Sequence, residues 1–254
     1  MDISAYLQRI RYHGPFEPTR KVLGDLQTAH LLNVPFENLD IHLGRPVLLD
    51  EASLFDKIVT RRRGGFCYEL NGLFRLLLDA AGFEVICLAA SDAHEDGTFG
   101  PEFDHLALQV ACPGDNSIHW LTDAGWGDTF QQPLRLDSEA EQPQGRRVYR
   151  IEHLGEQRLL HQRDENGVWE RQYRFSLKPR RFEEFFPTCQ YHQTSPDSPF
   201  TRKRIVTRLT PTGRITLSEM KLIVSEDGRR QERMLNVEAE YRLALRDYFE
   251  IEID

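Results

Sequence analysis

The chain has 254 residues, 40% of them hydrophobic and 28% charged, with a formal net charge of −8. That length suits one large domain or two to three small ones, and the acidic balance argues against a nucleic-acid partner, since arginine pairs such as Arg146-Arg147 and Arg229-Arg230 are scattered. No apolar run reaches the roughly 20 residues of a membrane span; the longest candidate, 73–90, is broken by Arg75, Asp79 and Glu84.

Met1-Asp2-Ile3-Ser4 carries neither a basic n-region nor an apolar h-region. The cysteines Cys67, Cys87, Cys112 and Cys189 form no Cys-x-x-Cys pair, so a reducing, cytoplasmic setting is expected rather than a disulfide framework. No metal is expected, because ligand-spaced Cys or His pairs are absent and His94-Glu95-Asp96 falls in a Gly-containing loop.

The first 82 residues read as helical. Ile3, Tyr6, Leu7 and Ile10 form one amphipathic stripe. Thr19 can cap a second helix bearing Val22, Leu23 and Leu26, and a third begins near Asp50 with Leu54 and Ile58. The fourth follows Arg62-Arg63-Gly64-Gly65-Phe66-Cys67-Tyr68-Glu69-Leu70-Asn71. Its stripe is Leu70, Phe74, Leu77, Leu78 and Ala81, with Gly82 as the stop. Cys67 therefore sits at a helix N-terminus, where the macrodipole favours a thiolate. A small buried residue closing a Gly-Gly turn is the plainer alternative.

From residue 84 the period shortens. Glu84 to Ala90 is nearly all apolar, and Leu106, Leu108 and Val110 alternate with Ala107 and Gln109. Further strands are predicted at 118–123, 147–152, 157–161 and 168–176, the pattern of an antiparallel barrel or sandwich. Residues 137–146 read as a polar loop, and 180–204 as a connector. The tail predicts strands near 205–209, 214–217, 221–225 and 230–235, with Asp227-Gly228 as a hairpin turn. Tyr241, Leu245, Tyr248 and Phe249 mark a closing helix.

A cysteine nucleophile needs a base in hydrogen-bond reach and a third group to orient the base. In the hairpin around Pro113-Gly114-Asp115, a turn centred on Gly114 pairs His105 with Asp123 on one face, with Leu106, Leu108 and Val110 on the other. A cross-strand ion pair on a solvated face is the bland alternative. His119 shares that face and is the rival base; His30, on a helix, reads as structural. Ala124-Gly125-Trp126-Gly127 then suits a tight strand exit with close backbone approach, not a dinucleotide fingerprint.

The order Cys67, His105, Asp123, set in Arg63-Gly64-Gly65-Phe66-Cys67-x-Glu69-x-Asn71, resembles the arylamine N-acetyltransferases of bacterial type. So do Val34-Pro35-Phe36-Glu37-Asn38-Leu39, Asp123-Ala124-Gly125-Trp126-Gly127 and Gly213-Arg214-Ile215-Thr216-Leu217. The resemblance spans essentially the whole chain. It implies an α+β fold: an N-terminal helical bundle (1–83), a central antiparallel β-barrel (84–180), an interdomain segment (181–204) and a C-terminal α/β lid (205–254), with a cysteine-protease- or transglutaminase-like core.

The resemblance also implies a ping-pong reaction. Cys67 would take an acetyl group from acetyl-CoA and pass it to a small aromatic amine, hydrazine or hydrazide. His105 would form an ion pair with the Cys67 thiolate and shuttle protons, Asp123 would fix the imidazole, and the Cys67 amide would serve an oxyanion. Phe36, Trp126 and Phe200 would contact substrate, and Gly127 and Phe130, within the 127–134 segment, coenzyme A. Trp126 stands where the family usually has phenylalanine, and 18 residues from His105 to Asp123 is a slightly long spacing. Competing readings are an amide synthase using another acyl thioester, a thiol hydrolase with the same residue order, and a binding protein on an inactive scaffold, against which the intact Cys67, His105 and Asp123 argue.

Overall fold

A computed structural model describes residues 1–128, 130–164 and 166–253, with the side chains of 115–117 left aside. Thr129, within the segment expected near coenzyme A, and Asp254, the last residue of the expected lid, lie outside the described residues. The N-terminal third holds α1 (Ile3–Arg9), α2 (Arg20–Asn33), β1 (Phe36–Glu37), α3 (Leu39–His42), α4 (Glu51–Phe55) and α5 (Cys67–Ala80). Asp2, Thr19 and Asp50 cap α1, α2 and α4 through their side chains. A π turn, Asp56–Thr60, prolongs α4 and turns Lys57 inward.

The middle of the chain is one antiparallel sheet of β2 (Glu84–Asp92), β3 (His105–Cys112), β4 (Asp115–Thr122), β5 (Leu134–Arg135), β6 (Gln142–Gln144), β7 (Arg147–Leu154), β8 (Gln157–Arg163) and β9 (Trp169–Ser176). Its strand order is β5-β4-β3-β2-β9-β8-β7-β6. The two edges are stitched by glutamine side chains: Arg135 N donates to Gln142 Oε1 at 2.8 Å, and Gln132 N to Gln144 Oε1 at 2.9 Å. The sheet is thereby almost a closed barrel, with its edges covered. One of those edges, β6, lies inside the stretch that reads as a polar loop; its Gln-Pro-Gln sequence has no strand period.

The connector is more ordered than its composition suggests. A 3₁₀ turn, Phe182–Phe185, leads into α6 (Phe186–Thr194), and α7 (Pro199–Arg202) follows. α6 lacks a clear apolar stripe. It is held by tertiary contacts: His192 Nε2 lies 3.0 Å from Asp104 Oδ1, and His192 Nδ1 lies 3.1 Å from Ser198 Oγ.

The C-terminal sheet contains β10 (Ile205–Thr210), β11 (Gly213–Ser218), β12 (Lys221–Glu226) and β13 (Arg229–Met234), and α8 (Glu238–Phe249) covers it with Tyr241, Leu245 and Phe249. Asp227 and Gly228, at φ 51° and 74°, make the two-residue hairpin turn. The first strand of this sheet is β1, from the N-terminal third: Phe36 pairs with Thr207 and Glu37 with Val206. Two residues carry no period, so β1 had no signal in the sequence.

The buried core forms three clusters. One joins the helices to the outer side of β2 and β3 through Leu106, Leu108 and Val110; a second fills the barrel around Leu88, Ala107, Leu121 and Tyr173; the third lies under α8. β3 is therefore buried on both faces, and the side that carries His105 and Ala107 lines the barrel interior, against the alternative of a solvated face.

Candidate active site

Three segments that are remote in sequence meet at the N-terminus of α5. Cys67 opens the helix and is 4% exposed. His105 opens β3 and Asp123 follows β4; both are buried, and His105 Nε2 lies 2.8 Å from Asp123 Oδ2. The register differs from the one expected. Leu108 pairs with Thr122 and Ala111 with His119, two residues away from a turn centred on Gly114, with an irregularity at Ala111/Cys112. A two-residue slip preserves the face, so Asp123 reaches His105 diagonally rather than from directly opposite.

Asn71, one turn into α5, ties the helix to the sheet. Its Nδ2 donates to Asp123 Oδ1 at 2.8 Å and to Leu106 O at 2.6 Å, and its Oδ1 accepts from Ala124 N at 2.8 Å. Asp123 also accepts from Gly125 N (2.9 Å) and from the Tyr173 hydroxyl (3.0 Å). Four donors from four parts of the chain thus fix one carboxylate. Residue 125 must be glycine: a Cβ there would stand 2.8 Å from both Cys67 Cα and Asn71 Nδ2. Asn71 and Tyr173 carried no individual signal in the sequence, Asn71 being one letter of a motif and Tyr173 one strand residue among eight.

Burial sets the electrostatics. The Cys67 thiol is pushed well above its ordinary value by loss of water, then by the nearby Asp92 carboxylate, while a hydrogen bond from the Leu106 backbone acts the other way. Burial thus works against the thiolate that the helix N-terminus favours. Burial would lower the His105 pKa, but the Asp123 carboxylate together with Asp92 and Asp104 outweighs it and the imidazole is raised above its usual 6.5.

Behind the Gly-Gly turn lies a second buried polar cluster. Lys57 Nζ is 2.8 Å from both Asp40 Oδ2 and Glu69 Oε1, and Arg63 Nη2 is 2.8 Å from Glu37 Oε1 and 3.1 Å from Asp40 Oδ1. Glu69 Oε2 accepts from Phe66 N at 3.1 Å, half of a capping box that holds the residue before Cys67. Burial raises the Glu69 carboxyl to about 7 against the pull of Lys57, whose own pKa is raised because Glu69, Glu37 and Asp40 together overcome its burial.

The other expected site residues divide. Phe36 and Phe200 face each other at 6.2 Å between ring centroids, and Phe200 stacks edge-on against Phe66 at 5.5 Å. Both thus lie beside the Cys67 turn. Trp126 meets the edge of the His105 ring at 4.9 Å and that of Tyr173 at 5.0 Å, and its Nε1 donates to Gln172 Oε1 at 3.2 Å. Gly127 offers its carbonyl to Arg214 of β11, whose Nε also pairs with Asp128 Oδ1 at 2.9 Å. Phe130 corrects one expectation: its side chain is fully buried against Tyr149 in the barrel core, so it has no surface to offer coenzyme A.

His119 sits half-buried at the far end of the hairpin, opposite Ala111 and away from Asp123. His30 is fully buried against Tyr6 and Phe74, and burial lowers its pKa to about 3, as befits a structural residue. Among the described residues no cluster of His, Cys, Asp and Glu could hold a metal ion, and no helix is long and apolar enough to cross a membrane.

A family profile described as N-acetyltransferase matches residues 20–254. The chain is 36% identical over 238 residues to arylamine N-acetyltransferase 1 of Oryctolagus cuniculus, covering 84% of this chain and 79% of that one. The chain belongs to the arylamine N-acetyltransferase family. Among solved structures, the arylamine N-acetyltransferase of M. tuberculosis superposes with a TM-score of 0.92 at 35% identity, over 98% of this chain and 94% of that one. That of Mycobacterium marinum in complex with CoA superposes at 0.90 and 33% identity, over 98% of this chain and 93% of that one. Family membership makes the protein an acetyltransferase, and the α+β fold expected from the sequence is the one these relatives share.

Proposed function

We propose that the protein moves an acetyl group from acetyl-CoA to the nitrogen of an arylamine, arylhydrazine or hydrazide, through a thioester on Cys67. The observation that carries this reading is the junction at α5: Gly125 against the Cys67 backbone, Asn71 bridging to Asp123, and Asp123 bonded to His105. The CoA complex of the Mycobacterium marinum relative supports acetyl-CoA as the donor.

The chemistry follows from the electrostatics. A buried thiol does not lose its proton to water; it hands the proton to His105, whose raised affinity for a proton suits it to accept one. With Nε2 directed at Asp123, Nδ1 is the nitrogen that takes the thiol proton. The Cys67 sulfur attacks the acetyl carbonyl, its oxygen drawing on the Cys67 amide at the helix start. The C–S bond to coenzyme A breaks, and His105 returns the proton to the departing thiolate. In the second half the amine attacks the acetyl-cysteine, His105 takes the proton from nitrogen, and the Cys67 thiolate leaves and is reprotonated. Phe36 and Phe200 flank the aromatic acceptor, and Gly127 remains a candidate contact for coenzyme A.

Initial rates at varied acetyl-CoA and varied arylamine test the order of events. Parallel double-reciprocal lines are expected, because each substrate meets a different enzyme form. Intersecting lines would mean direct transfer in a ternary complex and would overturn the thioester route.

A further inference from the structure

β9 is not a regular strand. Arg171 and Arg174 both stack on the Phe99 ring, at 5.7 and 4.5 Å, and so share the outer side of the barrel. Residues three apart on a regular strand point to opposite faces. A bulge reconciles the two. Leu160 of β8 pairs with Tyr173, and the next residue, His161, pairs with Arg171, which leaves Gln172 without a partner on that strand. The Gln172 carbonyl accepts instead from Ala93 N at 2.9 Å, just past the end of β2. Gln172 thus turns inward beside Tyr173, where strict alternation would have sent it outward with Arg174.

The bulge delivers one hydrogen-bond acceptor to the site: Gln172 Oε1 accepts from Trp126 Nε1 at 3.2 Å. Trp126 completes a triangle of rings with His105 and Tyr173. The centroids lie 4.9 Å apart for His105 and Trp126, 5.1 Å for His105 and Tyr173, and 5.0 Å for Trp126 and Tyr173. Two corners are tied to Asp123, through His105 Nε2 at 2.8 Å and the Tyr173 hydroxyl at 3.0 Å. The third is tied to Gln172. That corner has the weakest backbone support, since Trp126 is half-buried and stands between Gly125 and Gly127.

A single hydrogen bond at Nε2 holds one point of the imidazole and leaves its plane free to tilt. Ring packing sets the plane, and the plane sets the direction of Nδ1.

We propose that Gln172 is a positioning residue for the acetylation step: by tying down the Trp126 indole it holds the His105 ring in the orientation that receives the Cys67 proton. This rests on His105 being the base of the proposed reaction. Gln172 acts through Trp126 and not on the thiol itself. A phenylalanine at 126 would have no N–H to offer, so the tie exists only with tryptophan there.

The first half-reaction alone tests this. Wild type and Gln172→Met are mixed with saturating acetyl-CoA and no amine, quenched over time and measured by intact-protein mass. Methionine keeps the length of the side chain and presents no oxygen. The rate constant of the acetyl adduct reports the alignment of the base, whereas its amplitude counts folded enzyme. A residue that served stability alone would lower only the amplitude. Gln172→Met should lower the rate constant about three- to tenfold at full amplitude. Trp126→Phe breaks the same bond from its other end, and Gln172→Met on that background should lower the rate constant no further. An unchanged rate constant in Gln172→Met, or losses that multiply in the double variant, would overturn the proposal. Should Gln172→Met fail to fold, Trp126→Phe decides, and an unchanged rate constant there would overturn the proposal equally. No adduct on the wild type would instead overturn the thioester reading itself.

Discussion

Two buried polar clusters flank the first turns of α5, and they are built on opposite plans. In the cluster behind the Gly-Gly turn, Lys57 and Arg63 neutralise most of the charge of Glu37, Asp40 and Glu69 within ion-pair distance. In the cluster in front, Asp123, Asp92 and Asp104 face a single imidazole, and Asp92 keeps an oxygen without a donor. A compensated cluster holds a loop in place; an undercompensated one retains protonation states that can change during a reaction. Both clusters draw on α5, through Glu69 on one side and Asn71 on the other. One helix turn therefore couples the rigid support to the reactive group.

The contrast is broken most severely by removing the nucleophile. Cys67→Ala should abolish acetyl transfer and leave the melting temperature nearly unchanged, because it removes one sulfur atom and a single hydrogen bond, from the Leu106 backbone. Residual product above a few per cent, measured by chromatography, would contradict its role. Asp123→Asn should lower kcat/KM by about 10³- to 10⁴-fold, since it replaces an acceptor that orients His105 with a group that can also donate. A loss under tenfold would show that the four donors around Asp123 serve stability alone.

In the compensated cluster the effect should be on folding. Lys57→Met leaves buried carboxylates without their cation and should destabilise by about 3–5 kcal/mol, read by chemical denaturation. The sign with pH is fixed by Glu69, whose folded-state pKa is raised to about 7. The fold favours its protonated form, so stability falls as pH rises between the ordinary carboxylate range and about 7. The deficit of Lys57→Met should accordingly be larger at pH 8 than at pH 5.5; a deficit independent of pH would remove Glu69 from the account.

Smaller changes sharpen the comparison. Tyr173→Phe removes one of four donors to Asp123 and should cost about 1 kcal/mol of stability, with a few-fold loss in kcat and little change in KM. His119→Gln should retain most activity, and complete loss would mean that the base is misassigned.

The sequence made α5 and the candidate nucleophile at its start legible because the helical stripe and the glycine pair are local. The face shared by His105 and Asp123 was legible too, since parity survives a two-residue slip; the register was not, because it depends on the irregularity at Ala111/Cys112. Asn71, Tyr173 and Asp92 escaped notice as site residues because only the closed sheet and the docked helix bring them to Asp123 and His105. The same holds for β1, whose two residues become a strand only when β10 lies beside them, and for α6, which is fixed by His192 rather than by an apolar stripe. Phe130 was misjudged because an aromatic next to a glycine-rich turn reads alike whether it lines a pocket or fills a barrel.

The central claim is that Cys67 carries the acetyl group between donor and acceptor. Intact-protein mass spectrometry after mixing with acetyl-CoA, with no amine present, tests it most directly. The account predicts one acetyl adduct, mapped to Cys67 and lost on adding an arylamine. No adduct on a Cys67 that still reacts with an alkylating agent would contradict it and favour a different acyl thioester as donor.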